Sequence, residues 1–316
     1  MIRSVGFDKP LYILSFDHRG SISSMLGQED MLPAEQVAEI EHMKSRLALA
    51  KHVVYDGFQA AVAAGIPKDK AGILVDEYFG ADILQHAAAN GYSTACPVEK
   101  NGLEEFDFEY GEDFAKHVED MHPTFCKAHV RYNPGIKPTS NRLQVTRLKR
   151  LSDYLHGNSR SLFMLDLLTA TDKTQLARLQ GDKKAYELEI RPRLTVEAIE
   201  ELQNAQIEPD VWRIEGFDRR DDCEKVVAAA RRSGRDKVSC LIRGGAEDHD
   251  KLLDLLNTAA AIPGFIGFAV GRAIFWEPLS RWAAHQTLHK AAVAEISQLY
   301  REFVNIFEKG RYKQVA

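Results

Sequence analysis

The sequence predicts a single (β/α)8 barrel. Three observations lead there: short apolar runs recur about eight times, segments of helical periodicity separate them, and the runs are apolar at nearly every position. Strand–helix alternation brings successive strands parallel, and a strand that is apolar throughout is one buried on both faces. Eight such units in 316 residues suit a closed barrel. A doubly wound open sheet is the other arrangement that the alternation permits. With 45% hydrophobic residues the chain can bury a full core. No Pro/Gly/Ser-rich linker, short-period repeat or low-complexity tract divides it, so residues 1–316 read as one domain.

The strands are read, in order, at "LYILSFD" (11–17), "GILVDE" (72–77), "YSTACPV" (92–98), "CKAHVRY" (126–132), "SLFMLDLL" (161–168), "DVWRIE" (210–215), "KVSCLIR" (237–243) and "FIGFAVG" (265–271). Between the first two, residues 33–65 form a long helical stretch that stops at Gly65. "LTVEAIEELQNAQ" (194–206) carries Val196, Ile199 and Leu202 at helical spacing, with Thr195 as its expected N-cap. "DRRDDCEKVVAAARRSG" (218–234) begins acidic and ends in Arg231, Arg232 and Gly234, the order that a helix dipole and a glycine C-cap favour. "EDHDKLLDLLNTAAA" (247–261) follows the same logic.

A net charge of −5 argues against non-specific nucleic-acid binding. The densest basic run, "RLKRL" (147–151), falls on a predicted helix and reads as a solvated face. Cys96, Cys126, Cys223 and Cys240 form no CxxC pair, which points to buried thiols in a reducing cytoplasm rather than a zinc knuckle or a disulfide framework. Neither a signal peptide nor a membrane span is visible. The aromatic residues Phe275, Trp276 and Trp282 suit packing or a contact between subunits, so a homo-oligomer is an open expectation.

In a barrel of this kind the site lies at the C-terminal ends of the strands. The polar residues there are Asp17, His18 and Arg19 after the first strand, Asp76 and Glu77 after the second, and Glu99 and Lys100 after the third. Lys127, His129 and Arg131 share one face of the fourth strand by period-two alternation. Asp166 is a lone acid in the apolar fifth strand, where burial would raise its pKa and suit it to proton transfer. Arg213 sits inside the sixth strand with Glu215 on the same face. A buried arginine cannot shed its charge, so it must pair or bind an anion, and Glu215 is one available partner. Gly244 and Gly245, then Gly271 and Arg272, follow the last two strands, where backbone N–H groups and a helix N-terminus can face a phosphate. Any one of these residues also has a plainer use as a helix cap, an ion pair or a tight turn.

The stretches "YILSFDHRG", "ILVDEYFGADIL", "PVEKNG", "EFDFEYG", "HVRYNP", "RLKRLSDYL", "PDVWRIEG" and "GFIGFAVGRAIFWEPL" resemble the aldolase-like domain fused to 5-dehydro-2-deoxygluconokinase in bacterial inositol catabolism. The likeness runs from about residue 10 to about residue 310, and it is similar more distantly to class I tagatose-bisphosphate and sulfofructose-phosphate aldolases. The resemblance implies cleavage of a phosphorylated keto-sugar, with 2-deoxy-5-keto-gluconate 6-phosphate giving dihydroxyacetone phosphate and malonate semialdehyde. It implies roles for Asp17, Lys127 and Asp166 in catalysis, and for Gly244, Gly245, Gly271 and Arg272 in holding phosphate. It departs at Arg213, which stands where those relatives place their imine-forming lysine. A guanidinium is not a useful imine nucleophile.

Two readings follow. One is a lyase in which Asp17 or Asp166 moves protons and Lys127 or Arg213 stabilises developing charge, with His18, Arg19 and Arg131 helping to bind a keto-sugar phosphate. In it, Lys127 is also a candidate substitute imine former. The other is a sugar-phosphate-binding barrel that has lost turnover. Metal-assisted aldol chemistry through Asp17, Asp76, Glu77 or His18 lacks an HxH or HExxH cluster, so neither a metal nor a cofactor is expected.

Overall fold

The first strand, β1 (Leu11–Ser15), is followed by β2 (Ala71–Leu74), β3 (Ser93–Pro97), β4 (Phe125–Arg131), β5 (Leu162–Leu168), β6 (Val211–Glu215), β7 (Ser239–Arg243) and β8 (Phe265–Val270). Each pairs in parallel with the next, and β8 pairs back onto β1, so the sheet closes into a (β/α)8 barrel. The computed structural model describes residues 4–26, 37–136, 138–169, 171–244 and 249–312. Closure excludes the open doubly wound sheet. In the closed sheet each apolar strand is covered by the lumen on one face and by helices on the other.

The helices are α1 (Gly20–Met25), α2 (Val37–Ala63), α3 (Glu77–Ala89), α4 (Phe114–Met121), α5 (Pro138–Asn158), α6 (Lys173–Arg178), α7 (Lys183–Ala185), α8 (Arg191–Asn204), α9 (Arg220–Arg231), α10 (His249–Ala260), α11 (Arg272–Ala283) and α12 (His289–Tyr312). Gly57 of α2 lets α12 approach closely, for a Cβ there would lie 2.5 Å from Ile296. Basic residues of "RLKRL" are held in ion pairs on α5: Arg147 with Asp107, Lys149 with Asp153 and Arg150 with Glu112.

One helix start differs from the sequence reading. Thr195 does not cap α8. A π-helical turn, Tyr186–Ile190, leads straight into Arg191, four residues before it. Arg191 is anchored by Glu187, by the Gly216 carbonyl at 2.8 Å and by the Phe217 ring face, and this anchorage supports the extra turn. Thr195 is buried inside the helix, and its hydroxyl donates to the Arg191 carbonyl.

Period-two alternation splits the strand side chains into two apolar layers. Tyr12, Leu14, Cys126, Phe163, Trp212, Cys240 and Phe268 pack outward beneath the helices. Leu11, Ile13, Leu74, Phe125, Met164, Val211 and Leu241 fill the lower lumen. The four cysteines are free and buried. Among the described residues no helix is long and apolar enough to cross a membrane.

Candidate active site

The same alternation carries polar side chains into the upper lumen. On β4, Phe125 points inward at the bottom, so Lys127, His129 and Arg131 follow it inward. On β5, Met164 is followed inward by Asp166; on β6, Val211 by Arg213; on β7, Leu241 by Arg243. These residues line a cleft of about 510 Å³ at the C-terminal ends of the strands, together with Asp17, His18, Arg19, Glu99, Gly244 and Arg272. The loop after β3 forms one wall. It is pinned by a bridge between Glu99 and Phe108 and by Gln144, which accepts from the Phe106 N–H at 2.9 Å.

Two ion clusters occupy the floor. In the first, the buried Lys127 ammonium donates to Asp17 at 3.0 Å and to Glu99. Burial alone would lower the Lys127 pKa, but Asp17, Glu99 and Asp166 outweigh it and hold the ammonium above the ordinary lysine value. Burial alone would raise the Asp17 carboxyl, and the Lys127 ammonium, first, and the Arg213 guanidinium instead hold it well below the usual range. A Schiff base starts from a neutral amine. Lys127 is therefore set up as a fixed cation, with a third N–H beyond the two that its carboxylates accept. Beside it, burial and the charges of Arg213, Arg272 and Lys51 push the His18 imidazole down to about 4, despite Asp17. His18 is neutral near pH 7.

The second cluster answers what the buried arginine does. Arg213 Nη1 donates to Asp166 at 2.7 Å, its Nε and Nη2 reach the Ala269 carbonyl at 3.1 and 2.9 Å, and Nη2 lies 3.5 Å from Ser15 Oγ. It thus ties β6 to β5, β8 and β1. Its acid is Asp166, the residue directly opposite in the β5–β6 register, rather than Glu215. Asp166 also departs from expectation. Burial alone would raise it, but Arg213, Arg243 and His129 outweigh that and hold it well below the usual carboxylate value. It is an ionised counter-ion, not a protonated acid. His129 Nδ1 lies 3.1 Å from the Asp166 oxygen that Arg213 also meets, and Arg243 Nη1 lies 3.5 Å from the other.

The remaining expected residues divide. Gly271 follows β8 where a Cβ would meet the Ser15 carbonyl at 1.9 Å, so only glycine fits, and Arg272 opens the twelve-residue α11 at the cleft edge. Gly244 lines the cleft; Gly245 lies outside the described residues. Arg131 is exposed at the rim. Arg19 is turned to the wall, donating to Glu109 at 2.9 Å. Asp76 and Glu77 are not in the cleft. Asp76 caps α3 by accepting from Phe79 N–H at 3.0 Å and pairs with the fully buried Lys51, while Glu77 pairs with His117. Among the described residues no group of three or more His, Cys, Asp or Glu is placed to hold a metal ion.

Sequence reasoning passed over Arg243 and left Glu99 and His129 without roles. The signal for Arg243 was present, for "LIRGG" puts a cation at a strand end, as "VWRIE" does. Buried polar atoms without partners gather in this cleft: His18 Nδ1, Arg19 Nε, Glu99 Oε2, Asp166 Oδ1, and Nε and Nη1 of Arg243. Such atoms are rare in folded proteins and costly, and each calls for an explanation.

No curated protein matches the chain. Among solved structures, the fold is similar to that of Cgl0159 from Corynebacterium glutamicum, at 15% identity and a TM-score of 0.55, covering 95% of this chain and 88% of that one. It is similar also to fructose-bisphosphate aldolase from Plasmodium falciparum, at 13% identity and a TM-score of 0.59, covering 98% of this chain and 92% of that one. At such identities the likeness establishes the barrel fold. Residues 6–311, nearly the whole length, match the model of a family described as "Uncharacterized protein conserved in bacteria (DUF2090)", and to that family the chain belongs.

Proposed function

We propose that the chain is an aldolase-type carbon–carbon lyase that cleaves a phosphorylated keto-sugar without an imine intermediate. One observation carries this reading: a protonated Lys127, fixed between Asp17 and Glu99, faces the same cleft as a set of buried, unpartnered polar atoms. The ammonium stabilises the enediolate charge that develops as the bond breaks. Gly244, Gly271 and Arg272, with Gly245, hold the phosphate, and Arg243 adds donors at that pole. The barrel likeness to an aldolase and the free, buried thiols support a cytoplasmic enzyme of this class. 2-Deoxy-5-keto-gluconate 6-phosphate is the substrate to try first, on the sequence resemblance.

The test is a coupled assay for dihydroxyacetone phosphate released from keto-sugar phosphates, with and without borohydride. Turnover that survives borohydride, with no adduct, is expected. An adduct on Lys127 overturns the imine-free route. A second reading, a binding barrel without turnover, draws on Arg213, whose donors are spent on Asp166 and the Ala269 carbonyl at the strand-6 position. Tight ligand binding with no cleavage of any keto-sugar phosphate selects it.

A further inference from the structure

We propose that His129 is the proton carrier of this cleft and that Asp166 is its positioning residue. The inference rests on the lyase reading for its substrate, and on this chain's own geometry for its chemistry. His129 and Asp166 are register partners on β4 and β5, and both side chains point into the cleft. Asp166 is 2% exposed and is held ionised by Arg213 and Arg243, so its oxygens only accept. The 3.1 Å contact must therefore be His129 Nδ1–H donating to Asp166. In the neutral ring that fixes the tautomer, with Nε2 as the basic nitrogen, left toward the cleft with no protein partner among the described residues. A carboxylate that orients an imidazole and supports the imidazolium as it forms is the second half of a general-base dyad.

The dyad supplies what a lyase without an imine lysine needs. His129 Nε2 takes the proton from the hydroxyl beta to the substrate carbonyl. The O–H electrons become the new aldehyde C=O, the adjacent C–C bond breaks, and its electrons become the enediolate that faces Lys127. The imidazolium then returns its proton to carbon, so that no outside acid, base or oxidant is consumed. Asp166 on β5 meets the imidazole directly, and the other charged groups lining the cleft are Arg213 on β6, Arg243 on β7, Arg272 after β8, Lys127 and Arg131 on its own strand, Glu99, Lys100, Glu104 and Glu105 after β3, and Asp17 and Arg19 after β1. The anions stabilise the imidazolium and the cations oppose it.

Two assays separate the dyad from the lyase reading. Exchange of the hydroxymethyl protons of dihydroxyacetone phosphate with deuterium oxide reports proton transfer alone, whereas release of that compound from keto-sugar phosphates reports cleavage. His129→Gln should lose about a hundredfold in exchange while binding dihydroxyacetone phosphate and melting like the wild type. Asp166→Asn should shift the acidic limb of the exchange profile to lower pH, and 15N spectra of the resting wild type should place the His129 proton on Nδ1. Exchange within about threefold of wild type in His129→Gln, far less than a proton carrier supplies, overturns the proposal, and so does a resting proton on Nε2. Wild-type exchange without cleavage sinks the lyase reading and leaves the dyad standing. Neither exchange nor cleavage in the wild type overturns both.

Discussion

Arg213 and Arg243 stand on neighbouring strands, both point into the lumen, and both meet Asp166, yet they are held in opposite ways. Every nitrogen of the Arg213 guanidinium has a protein acceptor, on Asp166 or the Ala269 carbonyl. Arg243 touches Asp166 at 3.5 Å without a hydrogen bond from that nitrogen, and its buried Nε and Nη1 have no partner. Burial of a cation therefore does not by itself mark a ligand contact. The unspent donors are the difference: a satisfied guanidinium is a strut, and the unsatisfied one beside the open cleft is the group on which the proposed ligand contact rests.

Removing the strut should have the largest effect. Arg213→Met leaves Asp166 buried beside fewer cations and frees the Ala269 carbonyl, so unfolding stability should fall by about 3–5 kcal/mol in denaturant titration. A loss below about 1 kcal/mol, the scale of an exposed pair, would show that the cluster relaxes around the gap and would erase the contrast. Arg243→Ala should do the reverse. Its melting should stay close to wild type, while dihydroxyacetone phosphate binds about tenfold to a hundredfold more weakly, the worth of one charge-assisted contact. Unchanged binding in calorimetry would make Arg243 a second strut.

Arg272→Ala probes the exposed edge of the same pole. We expect roughly a tenfold loss for phosphorylated ligands and almost none for their unphosphorylated analogues. Equal loss for both would remove the phosphate role. The smallest effect tests how far the Arg213 charge reaches. His18 titrates at about 4, held down by burial and helped by Arg213, below its ordinary value near 6.5. In the unfolded chain it takes up a proton first, so its contribution to stability is whole above pH 6.5 and is lost as pH falls toward 4. At pH 5.5 the wild type should have given up roughly 1–1.5 kcal/mol, a loss that His18→Gln should not share in matched denaturant titrations. Parallel pH curves for the two proteins would place His18 in a more polar setting.

Much of the barrel was legible in the chain. Runs such as "SLFMLDLL" and "FIGFAVG" are apolar on both faces, and only a sheet covered on both sides accommodates them. The inward direction of Lys127, Asp166 and Arg213 was legible too, because strand alternation leaves a mid-strand charge few places to go. Thr195 was misjudged as a cap because the turn that extends α8 depends on Arg191 finding Glu187, the Gly216 carbonyl and Phe217. Asp76 and Glu77 looked like site residues because strand-end acids serve equally as caps, and only the helix that follows shows which.

The sequence by itself determined the alternation of buried parallel strands with helices, the strand ends that carry the charges, and the absence of a lysine at residue 213. These follow from periodicity and residue chemistry, which are local. Only the tertiary structure decided that Arg213 pairs with Asp166 rather than Glu215, that Lys127 is clasped by Asp17 and Glu99, that Asp166 is ionised, and that Arg243 keeps its donors unspent. Those are matters of which strands become neighbours on closure and of how each burial cost is met. Such a pairing across the barrel joins residues far apart in the chain, 110 positions for Asp17 and Lys127, and no local pattern encodes it.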